Sequence, residues 1–173
     1  MFDELSLNLL DIGMNSLAAG ASVLRIVVIE SHRRDWLILQ VRDNGCGMDD
    51  ATLQRILAEN SSTKANRKKS IGLGLALLRQ TSEMCGGTFH VRSTPGKGTT
   101  VTASMRLTHI DRPPLGDLTA TIETLAASPT VDVQLHYRND NQTFHFHSQE
   151  AKHHEPSRTP KTKRKSAEAS RAA

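Results

Sequence analysis

The chain of 173 residues offers little for covalent cross-linking or membrane insertion. Its two cysteines, Cys46 and Cys85, have no paired-motif spacing. A disulfide framework and a cysteine-rich zinc site are therefore excluded, and a reducing, cytoplasmic setting is expected. Long apolar runs are missing: stretches such as Leu24–Ile29 are interrupted or bounded by charge. A spanning helix needs about 20 apolar residues, so no membrane partner is expected. A basic secretory leader is not expected either. Asp3 and Glu4 stand where a secretory signal would place lysine or arginine. With a mean hydropathy of -0.41, the chain reads as one soluble domain with a real core, plus a tail.

The basic balance is local. Seven Lys or Arg face two Glu in residues 152–173, a balance of +5 in a chain whose total is +4, so the first 151 residues carry −1. The tail has Pro, Ser, Lys and Arg but no Leu, Ile, Val or aromatic residue. It cannot bury a core and is expected to be disordered. Its charge alone only weakly suggests nucleic-acid binding; a merely solubilising terminus fits better.

Residues 3–19 predict a helix, with Gly20 just beyond its end. Val23–Glu30 and Trp36–Arg42 predict strands, then Asp43–Met48 a glycine-rich turn. A helix over Asp49–Ala58 leads into a polar, basic loop, Asn60–Ser70. Gly72–Cys85 predicts a helix, followed by strands Thr88–Arg92 and Thr99–Leu107 around Thr94–Gly98. Pro113-Pro114 separates this unit from an appendix: a helix over Leu115–Ala127 and a hairpin. If Asp140-Asn141 is a two-residue loop, Tyr137 opposes Phe144 and Leu135 opposes Phe146 on one face, with His136 opposite His145 on the other. The expected units are therefore 1–108, 109–150 and the tail 151–173.

Four segments carry chemistry. On the first helix Glu4, Asn8, Asp11 and Asn15 make one polar stripe. It is either a solvated face or a carboxylate and an amide, one turn apart, aimed at a metal and its ligand; an amide oxygen suits Mg²⁺ and a carboxylate can orient a nucleophile. In Asp43-Asn44-Gly45-Cys46-Gly47-Met48, the carboxylate at a strand end can accept an exocyclic amine. Gly45 and Gly47 let backbone pass close to a flat base, and Met48 can pack on it. A plain tight turn would use the same residues. Gly72-Leu73-Gly74-Leu75 opens a helix, whose free amides attract anions. Lys64, Arg67, Lys68 and Lys69 crowd the loop before it, as a lid over phosphates would. Gly96-Lys97-Gly98-Thr99-Thr100 alone predicts a hairpin turn. His136, His145 and His147 form either a small metal site or ordinary surface histidines. Cys46, inside the Asp43 loop, is either just a small residue or a thiol whose alkylation would block a ligand bound there.

In this order the four segments resemble the ATP-binding domain of the GHKL superfamily, which includes gyrase, a heat-shock chaperone, histidine kinases and MutL. Leu10–Ala21 looks like the N box, closest to the MutL form. The resemblance, over roughly residues 3–107, implies a two-layer α/β sandwich (Bergerat-type) with helices on one face of a mixed sheet, here carrying a C-terminal helix-hairpin extension. It implies ATP and Mg²⁺ as cofactors. Asn15 matches the Mg²⁺-binding asparagine and Asp11 the general base, usually Glu. Asp43, Gly45, Gly47 and Met48 match the adenine-binding box, Gly72 to Leu75 the phosphate box, and Thr99 the threonine beside the adenine. The shorter Asp11, and Ala18 where the MutL-like pattern has Asp, should spare binding and affect hydrolysis.

Only ten residues precede Asp11 and no histidine lies in an H-E-x-[RK]-T context, so no phosphoacceptor helix hairpin is expected. The chain is thus similar to stand-alone bacterial regulators such as the anti-sigma serine kinases, and to histidine-kinase-like proteins with an extension like Thr108–His147. The resemblance implies a signalling protein that transfers the γ-phosphoryl group of ATP to a partner protein or to water. The alternative is an ATP-gated interaction module with negligible turnover. A protein partner or phosphoacceptor is implied without being named, and a homodimer is compatible with either reading.

Overall fold

Alternation of apolar and polar residues builds a sheet with one greasy face. The computed structural model describes residues 4–59 and 73–153. In chain order the elements are α1 (Leu5–Ala18), β1 (Val23–Ser31), β2 (Trp36–Asp43), α2 (Asp50–Glu59), α3 (Leu73–Met84), β3 (Thr88–Thr94), β4 (Gly98–Met105), α4 (Leu118–Ala126), β5 (Asp132–Arg138), β6 (Thr143–His147) and α5 (Ser148–His153). The described strands form one six-stranded sheet in the order β3-β4-β2-β1-β5-β6. β1 pairs antiparallel with β2 and parallel with β5. The sheet is mixed, and the hairpin of the appendix extends it.

Leu24, Ile26 and Val28 of β1, Leu37, Leu39 and Val41 of β2, Val101, Ala103 and Met105 of β4, and Val133 and Leu135 of β5 are buried on one face. Leu5, Leu9 and Ile12 of α1, Leu75 and Leu78 of α3, and Ile122 and Leu125 of α4 join them in one core. Each such Leu, Ile, Val or Met side chain contributes about 1.5–3 kcal/mol on burial. Leu125 seats on Gly13: a Cβ there would stand 2.7 Å from its methyl carbons. α4 thus locks the appendix onto α1. The opposite face, with Arg25, Arg42, His90 and Arg92, is exposed at its periphery.

Local signals account for several boundaries. Gly20, at φ +73°, ends α1. Its amide donates to Leu17 O, and that of Ala21 to Ser16 O, the paired bonds of a Schellman motif. Asp49 caps α2, its Oδ1 accepting from Thr52 N at 2.7 Å; the Thr52 hydrogen bonds hold its carboxyl below the usual value. The β5–β6 register is the one expected, with Leu135 opposite Phe146, Tyr137 opposite Phe144 and His136 opposite His145. The fourth helix differs from expectation. It starts at Leu118, not Leu115, because Gly116 takes φ +81° and Asp117 caps the helix through Ala120 N at 2.8 Å. The expected lid, with Lys64 and Gly72, and the tail beyond His153 lie outside the described residues.

Candidate functional site

The last residue of β2 is the centre of the site. Asp43 is 8% exposed, and its carboxylate is oriented by three donors. Ser16 Oγ donates to Oδ2 at 2.9 Å, while the amides of Gly45 and Thr99 donate to Oδ1 at 2.9 and 3.2 Å. Two partners belong to expected segments, Gly45 to the turn and Thr99 to the start of β4. The third, Ser16, has no signal in the sequence beyond its place next to Asn15. Oδ2, with one donor, keeps a free acceptor position.

The turn after Asp43 is fixed by backbone. Cys46 N donates to Ala19 O and Gly96 N to Cys46 O. Gly47 has φ +65°, and a Cβ there would collide with Thr94 O. Asn44 ties the turn to β1, accepting from the amides of Ser22 and Val23 at 2.9 Å each. Ser93 is a further member that no motif marks: its hydroxyl accepts from Met48 N at 2.8 Å and contacts Thr99 Oγ1 at 2.9 Å.

These elements enclose a cavity of about 270 Å³ lined by Asn15, Ser16, Asp43, Cys46, Gly47, Met48 and Thr99, with Ile12, Ile56, Leu75 and Val101 among its apolar walls. Small-molecule pockets are usually about 300–1,000 Å³, so this one suits the flat end of a larger ligand. Ile56 of α2 and Leu75 of α3 stand on either side of residues 60–72 in the chain, so the expected lid segment is flanked by cavity-lining residues.

The polar stripe of α1 is not a solvated face. Glu4 Oε2 accepts from Ser6 Oγ and Asp117 N. Asn8 is 2% exposed, and its Oδ1 has no partner among the described residues. Asp11 Oδ2 accepts the Gly74 amide at 3.0 Å, at the start of α3; a Cβ on Gly74 would run into that carboxylate. Asn15 lines the cavity with no side-chain hydrogen bond among the described residues, which leaves its amide oxygen free for a hard cation. Asn15, Asp43, Gly47, Met48, Leu75 and Thr99 thus meet at one cavity. Gly45 supports Asp43 from behind, while Asp11 and Gly74 form a separate contact beside it. For Leu73 the structure describes backbone alone.

The three histidines lie elsewhere, on the other face of the sheet. His136 Nδ1 and His145 Nδ1 are 2.9 Å apart, and the His147 ring is 6.1 Å from that of His136. Among the described residues no group of three His, Cys, Asp or Glu is arranged to hold a metal ion. Burial, then the neighbouring His145 charge, push the His136 pKa down. No helix among the described residues is long and apolar enough to cross a membrane.

The family model for histidine kinase-, DNA gyrase B- and HSP90-like ATPases matches residues 1–109, and the chain belongs to that family. Among curated relatives it is 31% identical over 109 residues to the virulence sensor protein BvgS of Bordetella bronchiseptica, covering 61% of this chain and 9% of that protein. It is 35% identical over 97 residues to the sensor histidine kinase ZraS of Klebsiella oxytoca (56% and 20%), and 37% over 71 residues to DcuS of Escherichia coli (41% and 12%). The chain therefore spans a fifth or less of these sensor kinases. A crystal structure of the N-terminal domain of a DNA repair protein superposes with a TM-score of 0.52 over 83% of this chain and 52% of that one, at 15% identity, a likeness of fold.

Proposed function

We propose that this domain binds Mg-ATP in the cavity at Asp43 and takes part in signalling by transferring the γ-phosphoryl group to a partner protein or to water. The oriented Asp43 carboxylate carries the reading. Held by Ser16, Gly45 and Thr99 at the floor of an apolar slot, it can accept the exocyclic amine of adenine. Met48, Ile12 and Val101 supply apolar contact for the base. Asn15 is the hard ligand for Mg²⁺, which neutralises charge on the phosphates when bound. Leu75, in the first turn of α3, lines the cavity; the resemblance assigns the phosphates to Gly72, Leu73, Gly74, Leu75 and Lys64, and the Gly74 amide, held by Asp11, would change partner on binding. Asp11 orients the attacking water or hydroxyl. The partner is a protein of the cytoplasm, and residues 109–150 complete the sheet of the ATP-binding unit 1–108.

One observation favours the second reading, an ATP-gated interaction module without turnover. Asp11 is tied to the Gly74 amide and does not line the cavity, so a base there would have to reach the nucleophile from outside the described cavity. Labelled ATP, with binding followed in parallel, separates the two. Phosphoryl transfer or phosphate release that Asp11→Asn abolishes while ATP binding persists supports catalysis. Wild-type protein that binds ATP and turns over no faster than Asp11→Asn leaves the module. Asn15→Ala should bind ATP equally with and without Mg²⁺; a wild-type Mg²⁺ response in that variant would remove Asn15 as the ligand.

A further inference from the structure

A second cavity opens on the sheet face opposite the Asp43 pocket, between the β1–β2 turn and the β5–β6 turn. Its volume is about 490 Å³, within the usual range of about 300–1,000 Å³ for small-molecule sites. Ile29, Trp36 and Ile38 give it an apolar floor, and Arg33, Arg34 and Arg138 line its rim. None of these guanidiniums pairs with a carboxylate within 4 Å among the described residues. Two carboxylates, Glu30 and Asp140, also line it. Asp140 is already engaged by Ser31 Oγ at 2.8 Å and by the amides of His32 and Arg33 at 2.7 and 3.1 Å.

Those bonds make the wall rigid. Asp140, from the far hairpin, pins one side of the β1–β2 turn. Asp35 pins the other: its Oδ1 accepts the Thr108 amide at 2.9 Å and its backbone O accepts that of Leu107 at 3.4 Å. Asp35 does so at φ 54°, a conformation that costs a non-glycine residue free energy and that persists where surrounding contacts impose it. Arg106 sits over the Trp36 ring at 4.5 Å. Two arginines are thus presented on a strained turn held from both sides, facing a third across an apolar floor.

We propose that this cavity is a binding site for a carboxylate or phosphate group attached to a flat apolar body. The arginine forks take the anion in bidentate fashion, and Ile29, Trp36 and Ile38 take the apolar part. The group arrives either as a free small molecule or as an acidic, aromatic side-chain cluster of a partner protein. The site is independent of the ATP reading, since it shares no lining residue with the first cavity.

The chain has a single tryptophan, and it lies in this site, so the 173-residue chain carries its own probe. Indole emission and the Trp36 indole N–H resonance would be followed while phenyl phosphate, benzoate, inorganic phosphate or a Glu-Phe-Glu peptide is titrated. Saturable change is expected with phenyl phosphate or the peptide, whichever source is preferred, at lower concentration than with inorganic phosphate. Arg33→Gln with Arg138→Gln should weaken it by at least about tenfold, as expected for loss of charge-assisted bonds; ATP affinity of that variant should be unchanged. The proposal is overturned by no saturable response to any probe in either signal, by inorganic phosphate matching phenyl phosphate, or by a double variant that responds like the wild type.

Discussion

Changing Asp43 to Asn swaps one carboxylate oxygen for an NH₂ and leaves the shape intact. The neighbours decide which oxygen is lost. Gly45 N and Thr99 N both donate to Oδ1, so the amide oxygen must take that position, because an NH₂ there would face two donors. The NH₂ replaces Oδ2, which faces Ser16. Ser16 tolerates this, since its hydroxyl already reaches Ile12 O at 3.2 Å and can donate there while accepting from the new NH₂. Stability should hardly change. A ligand amine aimed at the Oδ2 position would now meet a donor. Losing a hydrogen bond to a charged acceptor costs about 1.5–3 kcal/mol, or roughly tenfold to more than a hundredfold in affinity. Calorimetric titration with ATP measures it, with circular dichroism as the check on folding. Unchanged ATP affinity in a folded Asp43→Asn variant would refute the assignment of Asp43 to the adenine amine.

Two further outcomes concern the fold. Leu125→Ala removes a fully buried side chain seated on Gly13; it should lower the unfolding free energy in urea by about 2–5 kcal/mol without changing nucleotide affinity, since α4 does not line the cavity. A loss well under that range would mean that α4 is loosely held. His136 has a depressed folded-state pKa, so the fold favours its neutral form. That contribution is whole above the unfolded value of about 6.5 and is lost as pH falls through the folded one. The melting temperature should therefore drop between about pH 7 and pH 5, and drop less in His136→Gln; equal drops would exclude His136 as the cause. The carboxyls of Asp35, Asp49 and Asp140 are held by their hydrogen bonds below the ordinary value of 3.8, so they add nothing in that window.

Local chemistry is legible in this sequence and long-range pairing is not. The β5–β6 register follows from a two-residue loop, because one slip would move Leu135, Tyr137, Phe144 and Phe146 off a common face. Gly20 is legible because a helix end needs a residue that tolerates φ above zero. The start of α4 is less so: Asp117 before Leu118 is an ordinary capping signal, but the apolar period runs back to Leu115 and hides it. Segments of the site are legible as motifs, while their contacts are not. Ser16 meets Asp43 across 27 positions and Asp11 meets Gly74 across 63, and a backbone amide has no letter in the sequence. The parallel pairing of β1 with β5 and the cavity it creates beyond Asp140 likewise have no local signature.

Cys46 permits the most direct test of where ATP sits. Its side chain is exposed and lines the Asp43 cavity, while Cys85 is buried in the core. Alkylation by N-ethylmaleimide, followed by mass spectrometry at each cysteine, reads occupancy of the cavity itself. With ATP present at ten times its dissociation constant, modification of Cys46 should slow by about tenfold, in proportion to the free fraction, while Cys85 stays inert with or without nucleotide. A Cys46 rate indifferent to ATP, in protein that calorimetry shows to bind it, would put the nucleotide somewhere else.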